Sequence, residues 1–241
     1  MVSFAPEQQR ARQIEQAPRT LAFSEQVDFA TWQRLVAAQL QSMVGVIPGH
    51  DPLNLHIEYT HDTPTYRETR FIFTAEADAD VPAHLLIPTH GQPPYPVMIC
   101  LQGHTSGMHI SLGRARYPGD EASIAEDRDY ALQAVRQGYA ALVIEQRAFG
   151  ERRDRRPDSV RHVVDRPCHF TTLTALLLGR TLLGERVFDV SRAIDALAAF
   201  PDLDLQRIGC VGDSTGGTIA YFAAALDARI TVTMPAAYVC A

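Results

Sequence analysis

Residues 208–218, IGCVGDSTGGT, place Ser214 between Gly212 and Gly216. A short apolar run, IGCV, enters this turn, and a helical run of small residues, TGGTIAYFAAAL, leaves it. A strand, a Gly-x-Ser-x-Gly turn and a helix together form a nucleophile elbow, in which a strained backbone presents the serine hydroxyl and flanking side chains would collide. The pattern predicts that Ser214 is a nucleophile. The alternative is an ordinary strand-to-helix turn with a capping serine.

A nucleophilic serine needs an imidazole to take its proton and a carboxylate to orient that imidazole. All nine histidines precede Ser214, and the only acid after it is Asp227, at the far end of the helix that follows. Three explanations stay open: the chain is part of a longer protein that carries the base and the acid, the turn is structural in a non-catalytic protein, or an upstream histidine serves as the base. The candidates for that third explanation are His104, His109, His162 and His169.

Two other groups of residues could do chemistry. The run at 147–162, RAFGERRDRRPDSVRH, follows a buried strand, so Arg147 is a candidate for binding an anionic substrate group. Interleaved acids favour a solvated, self-paired loop instead. His56 and Glu58 share one strand face, but they give only two ligands, and we predict no metal site.

Four buried strands alternate with helical runs in the second half of the chain. The strands are predicted at Val97–Leu101, Tyr139–Glu145, Ile208–Val211 and Arg229–Met234. The helices are predicted at 121–137, 170–183, 185–200 and 215–226. This alternation predicts an α/β fold with a mostly parallel sheet covered by helices on both faces, and such sheets build their sites at the carboxyl ends of the strands.

The first part of the chain has a different pattern. Residues 1–20 are polar and predict a loose lead-in, whereas the apolar spacing over 24–44 predicts a helix that ends at Gly45. Three β-like runs between 54 and 87 predict antiparallel strands at one end of the sheet. We therefore divide the chain into a lead-in and helix at 1–50 and an α/β domain at 51–241.

Composition narrows the function classes. The 241 residues are 46% hydrophobic and carry a net charge of −6, which argues against a nucleic-acid partner. No lysine occurs, so mechanisms that need a lysine Schiff base or a phosphate-loop lysine are excluded. Four single cysteines indicate a reducing compartment, and no apolar run is long enough to span a bilayer. We expect a soluble cytoplasmic protein without a membrane partner.

The turn GDSTGG after RIGCV, together with PPYPVMICLQGH and EQRAFGE, resembles the α/β-hydrolase superfamily. The likeness spans roughly residues 25–241, and its order is similar to the dienelactone-hydrolase and acetyl-xylan-esterase-like branch. The resemblance implies a serine hydrolase of carboxylic esters that acts on a small-molecule ester through an acyl-serine intermediate, without metal or organic cofactor. It also implies a domain at 51–241 that lacks its C-terminal strands and helices, with the base and acid outside this chain.

The resemblance further implies an oxyanion hole made of the backbone N–H groups of Thr215 and His104. Gln102 departs from the family, which often has histidine there, and RAFG departs from the family's Arg-Gly-x-Gly turn at its second position. A serine peptidase of the prolyl-oligopeptidase type shares the elbow. We rank it lower because no propeller-like repeat precedes the hydrolase sequence.

Overall fold

The computed structural model describes residues 6–45, 49–153 and 167–237. Chain contacts divide it into two compact units, Met1–Gln41 and Ser42–Ala241. The division after residue 50 that the sequence suggests stays a prediction. The larger unit holds the sheet and every candidate site residue discussed below.

The described residues form seven strands and seven α-helices. The strands are β1 (His56–Asp62), β2 (Tyr66–Glu76), β3 (Ala79–Pro88), β4 (Tyr95–Leu101), β5 (Ala140–Ile144), β6 (Leu203–Asp213) and β7 (Ile230–Ala236). The helices are α1 (Pro6–Gln16), α2 (Phe29–Met43), α3 (Asp120–Ser123), α4 (Tyr130–Arg136), α5 (Pro167–Leu177), α6 (Leu182–Leu197) and α7 (Thr215–Leu226). Short 3₁₀ turns occupy Met108–Ile110 and Gly150–Arg152.

One sheet contains all the described strands, in the order β1-β2-β3-β5-β4-β6-β7. The pairs β1/β2 and β2/β3 are antiparallel, as expected for the lead-in strands, and β3 also pairs antiparallel with β5. The pairs β5/β4, β4/β6 and β6/β7 are parallel. The predicted fold class is therefore confirmed, with an antiparallel end on a parallel sheet.

Helices cover both faces of the sheet, as the packing of β4 illustrates. Its side chains alternate between the two faces, because successive residues of a strand point in opposite directions. Val97, Ile99 and Leu101 pack in the core with α6 and α7, whereas Met98 and Cys100 pack with α4 on the other face. Strands buried on both sides read as continuous apolar runs, which is the pattern of VMICL.

Two predictions need correction, one of a loose segment that is helical and one of a continuous helix that is broken. Residues 1–20 are not a loose lead-in throughout, because Pro6–Gln16 forms α1. Its glutamine, arginine and glutamate residues favour helix, but none is buried, so the sequence has no apolar stripe to reveal it. The single helix predicted over 121–137 is broken: a π-turn at Ile124–Arg128 separates α3 from α4, and Asp127 has a φ of 60°.

Candidate active site

Ser214 lies in the sharp turn between β6 and α7. Its backbone has a φ of 50° and a ψ of −120°, outside the ordinary regions for an L-residue, and the residue is half-buried. Such a conformation costs on the order of 1–3 kcal/mol and persists only where the surroundings enforce it. Here the Ser214 N–H donates to the Ala236 carbonyl (2.9 Å), and the Ser214 carbonyl accepts from the Thr218 N–H (3.0 Å). Strand β7 and helix α7 thus hold the turn from both sides.

The glycines of this turn are required by close backbone contacts. A Cβ at Gly212 would overlap the carbonyl oxygen of Gly216. A Cβ at Gly216 would overlap the carbonyl oxygen of Leu101 and lie 2.6 Å from that of Gln102. The elbow therefore packs directly against the end of β4, and only hydrogen atoms fit at these two positions.

The loop after β4 runs alongside the serine. We call Gln102–Met108 the β4 loop and Glu145–Arg153 the β5 loop. A Cβ at Gly103 would lie 3.2 Å from the Cβ of Ser214. His104 follows directly, and Thr215 is the first residue of α7, where free N–H groups and the helix dipole favour negative charge. The oxyanion roles of Thr215 and His104 stay predictions.

The His104 side chain has its own contacts. Its ring stacks on that of Phe149 in the β5 loop, with centroids 5.4 Å apart and an interplanar angle of 24°. The Arg186 guanidinium carbon lies 4.2 Å from the centroid of the same Phe149 ring. Burial, together with the charges of Arg186 and Arg153, lowers the pKa of His104. The lowered pKa favours the neutral form of the imidazole, and the stack joins the β4 loop to the β5 loop.

The other upstream histidines named as bases differ in position. The Nε2 atom of His109 lies 2.8 Å from an Asp120 carboxylate oxygen and 3.0 Å from the Ser106 hydroxyl. Because both contacts use one ring nitrogen, these three residues do not form a relay in which the imidazole joins a hydroxyl to a carboxylate. His169 is exposed on α5, and His162 lies outside the described residues. Among the described histidines, none hydrogen-bonds to the Ser214 hydroxyl.

Asp227 does not reach the serine. It follows the last residue of α7, a helix of 12 residues that begins directly after Ser214, so about 18 Å of helix separates them. Its carboxylate instead accepts from the Ser191 hydroxyl (2.8 Å) and from Arg229. The acid that would orient a catalytic histidine is therefore not Asp227.

Arg147 is held by three carboxylates. Its Nε and Nη2 atoms bind the two oxygens of buried Asp189 at 3.0 and 2.9 Å. Its Nη1 atom lies 2.6 Å from Glu76 and 3.6 Å from Glu185. These partners lie on β2 and α6 rather than within the arginine-rich run, and the Arg147 side chain is largely buried, so the interpretation as a solvated, self-paired loop is wrong for Arg147. Residues 154–162 lie outside the described part. Binding of substrate by Arg147 stays a prediction.

One polar residue near the site was missed from the sequence. Glu145 follows β5 directly, its side chain is 2% exposed, and burial raises its pKa to about 7. It accepts hydrogen bonds from the β4 loop and from its own loop. The available signal was an acidic residue directly after a wholly apolar strand, at the carboxyl edge where such sheets build their sites.

Neither metal binding nor membrane insertion finds support in the described residues. Within 6–45, 49–153 and 167–237, no group of three or more His, Cys, Asp and Glu side chains is arranged to hold a metal ion. None of the helices described there is long and apolar enough to cross a bilayer.

Comparison with known proteins identifies the family of this chain. The model of a family described as the Abhydrolase family matches residues 13–241. The protein named "Putative hydrolase YtaP" from Bacillus subtilis (strain 168) is 26% identical over 198 residues, which cover 80% of this chain and 60% of that protein.

Solved structures share the fold at low identity. A "putative acetyl xylan esterase" from Bacteroides fragilis NCTC 9343 superposes with a TM-score of 0.79 at 17% identity, over 96% of this chain and 60% of that one. A glucuronoyl esterase from Solibacter usitatus superposes with a TM-score of 0.60 at 16% identity, over 92% and 64% of the two chains. The chain thus spans about 60% of the length of these relatives.

Proposed function

This chain belongs to the Abhydrolase family, and from that premise we propose that it forms the nucleophile-bearing part of a serine hydrolase of carboxylic esters. The observation that carries the proposal is the backbone of Ser214, whose φ of 50° and ψ of −120° sit in a turn enforced by β7, α7 and two obligatory glycines. Backbone strain of this kind persists at functional sites because it orients a reacting group.

In the proposed reaction, the Ser214 hydroxyl attacks the ester carbonyl and the alcohol leaves. The N–H groups of Thr215 and His104 donate to the oxyanion that develops on the carbonyl oxygen. Water then attacks the acyl-serine and releases the acid. The stack of the His104 ring on Phe149 fixes the position of this residue in the β4 loop.

We assign the general base to a histidine that these 241 residues do not include. None of the described histidines hydrogen-bonds to the Ser214 hydroxyl: His109 is bonded to Asp120 and Ser106, and His169 is exposed on α5. The matched relatives are longer than this chain, which leaves room for such a residue. The base and its carboxylate would lie elsewhere in the same protein. Their distance from Ser214 in the sequence is no obstacle, because a triad is defined by its geometry and not by sequence position.

For the substrate, we propose a small carboxylic ester, with esterified carbohydrates as the class to test first. The structural relatives are named acetyl xylan esterase, glucuronoyl esterase and methylesterase, which supports an ester bond on a sugar. Cytoplasmic location stays a prediction.

Ester hydrolysis by the protein expressed from its complete coding sequence tests the proposal. We expect turnover of 4-nitrophenyl acetate and of acetylated sugars, and loss of that turnover in Ser214→Ala. Ser191→Ala is the matched control, because Ser191 is a half-buried serine bonded to Asp227 at the far end of α7, and it should leave turnover unchanged.

Three results would overturn the proposal. Full activity of Ser214→Ala would show that Ser214 is not the nucleophile. No turnover of any ester by the complete protein would favour a non-catalytic relative, and cleavage of proline-containing peptides without ester turnover would favour the peptidase alternative.

A further inference from the structure

A single carboxylate oxygen contacts both ends of the β4 loop. Glu145 Oε1 accepts from the side-chain amide of Gln102 (3.3 Å), where the loop begins, and from the backbone N–H of Met108 (3.1 Å), where it ends. His104 lies between these two anchor points. The other oxygen, Oε2, accepts from the Glu151 N–H (3.3 Å) in the β5 loop. One side chain therefore joins the two loops beside Ser214.

Two glycines make room for this carboxyl group. A Cβ at Gly107 would lie 3.1 Å from Glu145 Oε2 and 3.1 Å from the Cα of Gly150. A Cβ at Gly150 would overlap Oε2 and lie 2.9 Å from Oε1. Both glycines have positive φ values, 155° and 42°. The two loops therefore come together at Gly107 and Gly150, and the Glu145 carboxyl group packs against both glycines. A side chain at either position would displace the carboxyl group.

A second buried amide reinforces the same connection. Gln146, which is 1% exposed, donates from Nε2 to the Gln102 carbonyl at 2.7 Å. Gln102 is also 1% exposed. Neighbouring side chains of the β5 loop thus hold the first residue of the β4 loop at its carbonyl and at its side chain. The Nε2 atoms of both amides are bonded, whereas their buried side-chain oxygens have no hydrogen-bond partner among the described residues, so the connection depends on these two donors and on Glu145.

We propose that Glu145 is a positioning residue that ties the β4 loop to the β5 loop and thereby sets the backbone N–H of His104 relative to Ser214. The inference rests on the proposed function for its catalytic consequence. Glu145 does not touch the substrate. It acts through the loop, and an oxyanion donor displaced by about 1 Å loses much of its effect.

Charged groups surround Glu145 on several sides. Burial raises its pKa to about 7, although the N–H groups of Glu151 and Met108 stabilise the ionised form, the Glu151 carboxylate raises the pKa further, and Arg152 lowers it. Arg152 also donates to the Glu145 carbonyl at 3.1 Å. His109 Nδ1 also lies near Gly107, because a Cβ there would be 3.0 Å from this nitrogen and 3.1 Å from Glu145 Oε2.

The experiment compares Glu145→Gln with wild type in the complete protein, by ester kinetics and by hydrogen exchange of the β4 loop. We expect kcat to fall roughly 10- to 100-fold with KM nearly unchanged, because the substrate contacts remain while the oxyanion donor shifts. We also expect faster exchange of the Met108 or the Glu151 amide, because glutamine keeps one acceptor oxygen where the carboxylate has two and its NH2 group then faces the other donor.

Two further variants make the test specific. Gly150→Ala keeps the carboxyl group but pushes it out of its place, so it should reproduce both effects. Glu68→Gln changes a carboxyl group that is equally buried, at 1% exposed, and that bonds to His84 and Arg114, outside both loops. It should lower stability without changing kcat or exchange in the β4 loop.

Unchanged kcat and unchanged exchange in Glu145→Gln would overturn the inference, as would an equal loss of kcat in Glu68→Gln. If Glu145→Gln does not fold, Gly150→Ala decides in its place by the same two readouts. If wild type hydrolyses no ester, the proposed function fails, yet the exchange of the Met108 and Glu151 amides still shows whether Glu145 joins the two loops.

Discussion

The elbow at Ser214 and the two loops beside it are held in different ways. The elbow is fixed by backbone: Gly212 contacts Gly216 within one hexapeptide, and the Ser214 N–H bonds to the neighbouring strand. The β4 loop is fixed by side chains, chiefly Glu145, which lies 43 residues from Gln102. A backbone-fixed turn leaves a local signature in the sequence, whereas a loop fixed by distant polar groups does not.

The difference also affects how each region fails. Backbone contacts at van der Waals distance leave no room for an added atom. A larger residue in the elbow should therefore disrupt the turn by steric overlap. The loops depend on buried charged and polar groups, so they should respond to loss of a partner and to pH. The three substitutions below probe these two responses, beginning with the largest effect.

Gly216→Ala should break the elbow. The added methyl group would overlap the Leu101 carbonyl oxygen, which β4 cannot move without disturbing the sheet. We expect ester turnover to fall at least ~100-fold, as for other misplaced reacting groups. Gly49→Ala is the control, because a Cβ there meets nothing within 4 Å. Normal turnover in Gly216→Ala would show that the close approach does not define the elbow.

Asp189→Asn should destabilise the β5 loop without reshaping the elbow. The Asp189 side chain is 1% exposed and pairs with Arg147 and Arg152, so its loss takes the carboxylate partner from Arg152 and leaves Arg147 with Glu76 and Glu185 alone. Breaking such a pair costs about 3–5 kcal/mol, measurable by urea unfolding. Asp204→Asn removes an exposed pair with Arg207 and should leave the unfolding midpoint in place. Equal effects would contradict this assignment.

Glu145 should make the fold less stable as pH rises. Its pKa is raised from 4.5 to about 7, so between those values the folded state binds more protons than the unfolded state. Stability from this group is complete at low pH and declines through pH 7. At 1.36 kcal/mol per pKa unit, the shift corresponds to on the order of 3 kcal/mol.

The measurement is urea unfolding of wild type and Glu145→Gln at pH 5 and pH 8. The difference in unfolding free energy between the two proteins should move in favour of the glutamine variant at pH 8. All other titrating groups cancel in this comparison. A difference that is the same at both pH values would contradict the raised pKa.

Local patterns accounted for much of the fold. Apolar runs such as VMICL located the buried strands, and GDSTGG located the turn that the structure shows at Ser214. The break between α3 and α4 was missed because Asp127 adopts a φ of 60° inside otherwise helical sequence. The antiparallel pairing of β3 with β5 depends on tertiary contacts that no local pattern reports.

The residues of the candidate site likewise fall into those that a local motif predicts and those that only the folded chain brings together. Ser214 and its glycines carry a motif, so they could be identified from spacing alone. Glu145 carries none: its importance comes from contacts with Gln102, Met108 and Gly150, which only the folded chain brings together. The ion pairs of Arg147 with Asp189 and Glu76 are likewise between residues far apart in sequence.

The central claim is that Ser214 is the nucleophile, and covalent labelling tests it most directly. The protein expressed from its complete coding sequence is treated with a fluorophosphonate and the modified peptide is located by mass spectrometry. We predict a single adduct on Ser214 that is absent from Ser214→Ala and retained in Ser191→Ala. An adduct on another serine, or labelling that persists in Ser214→Ala, would contradict the account.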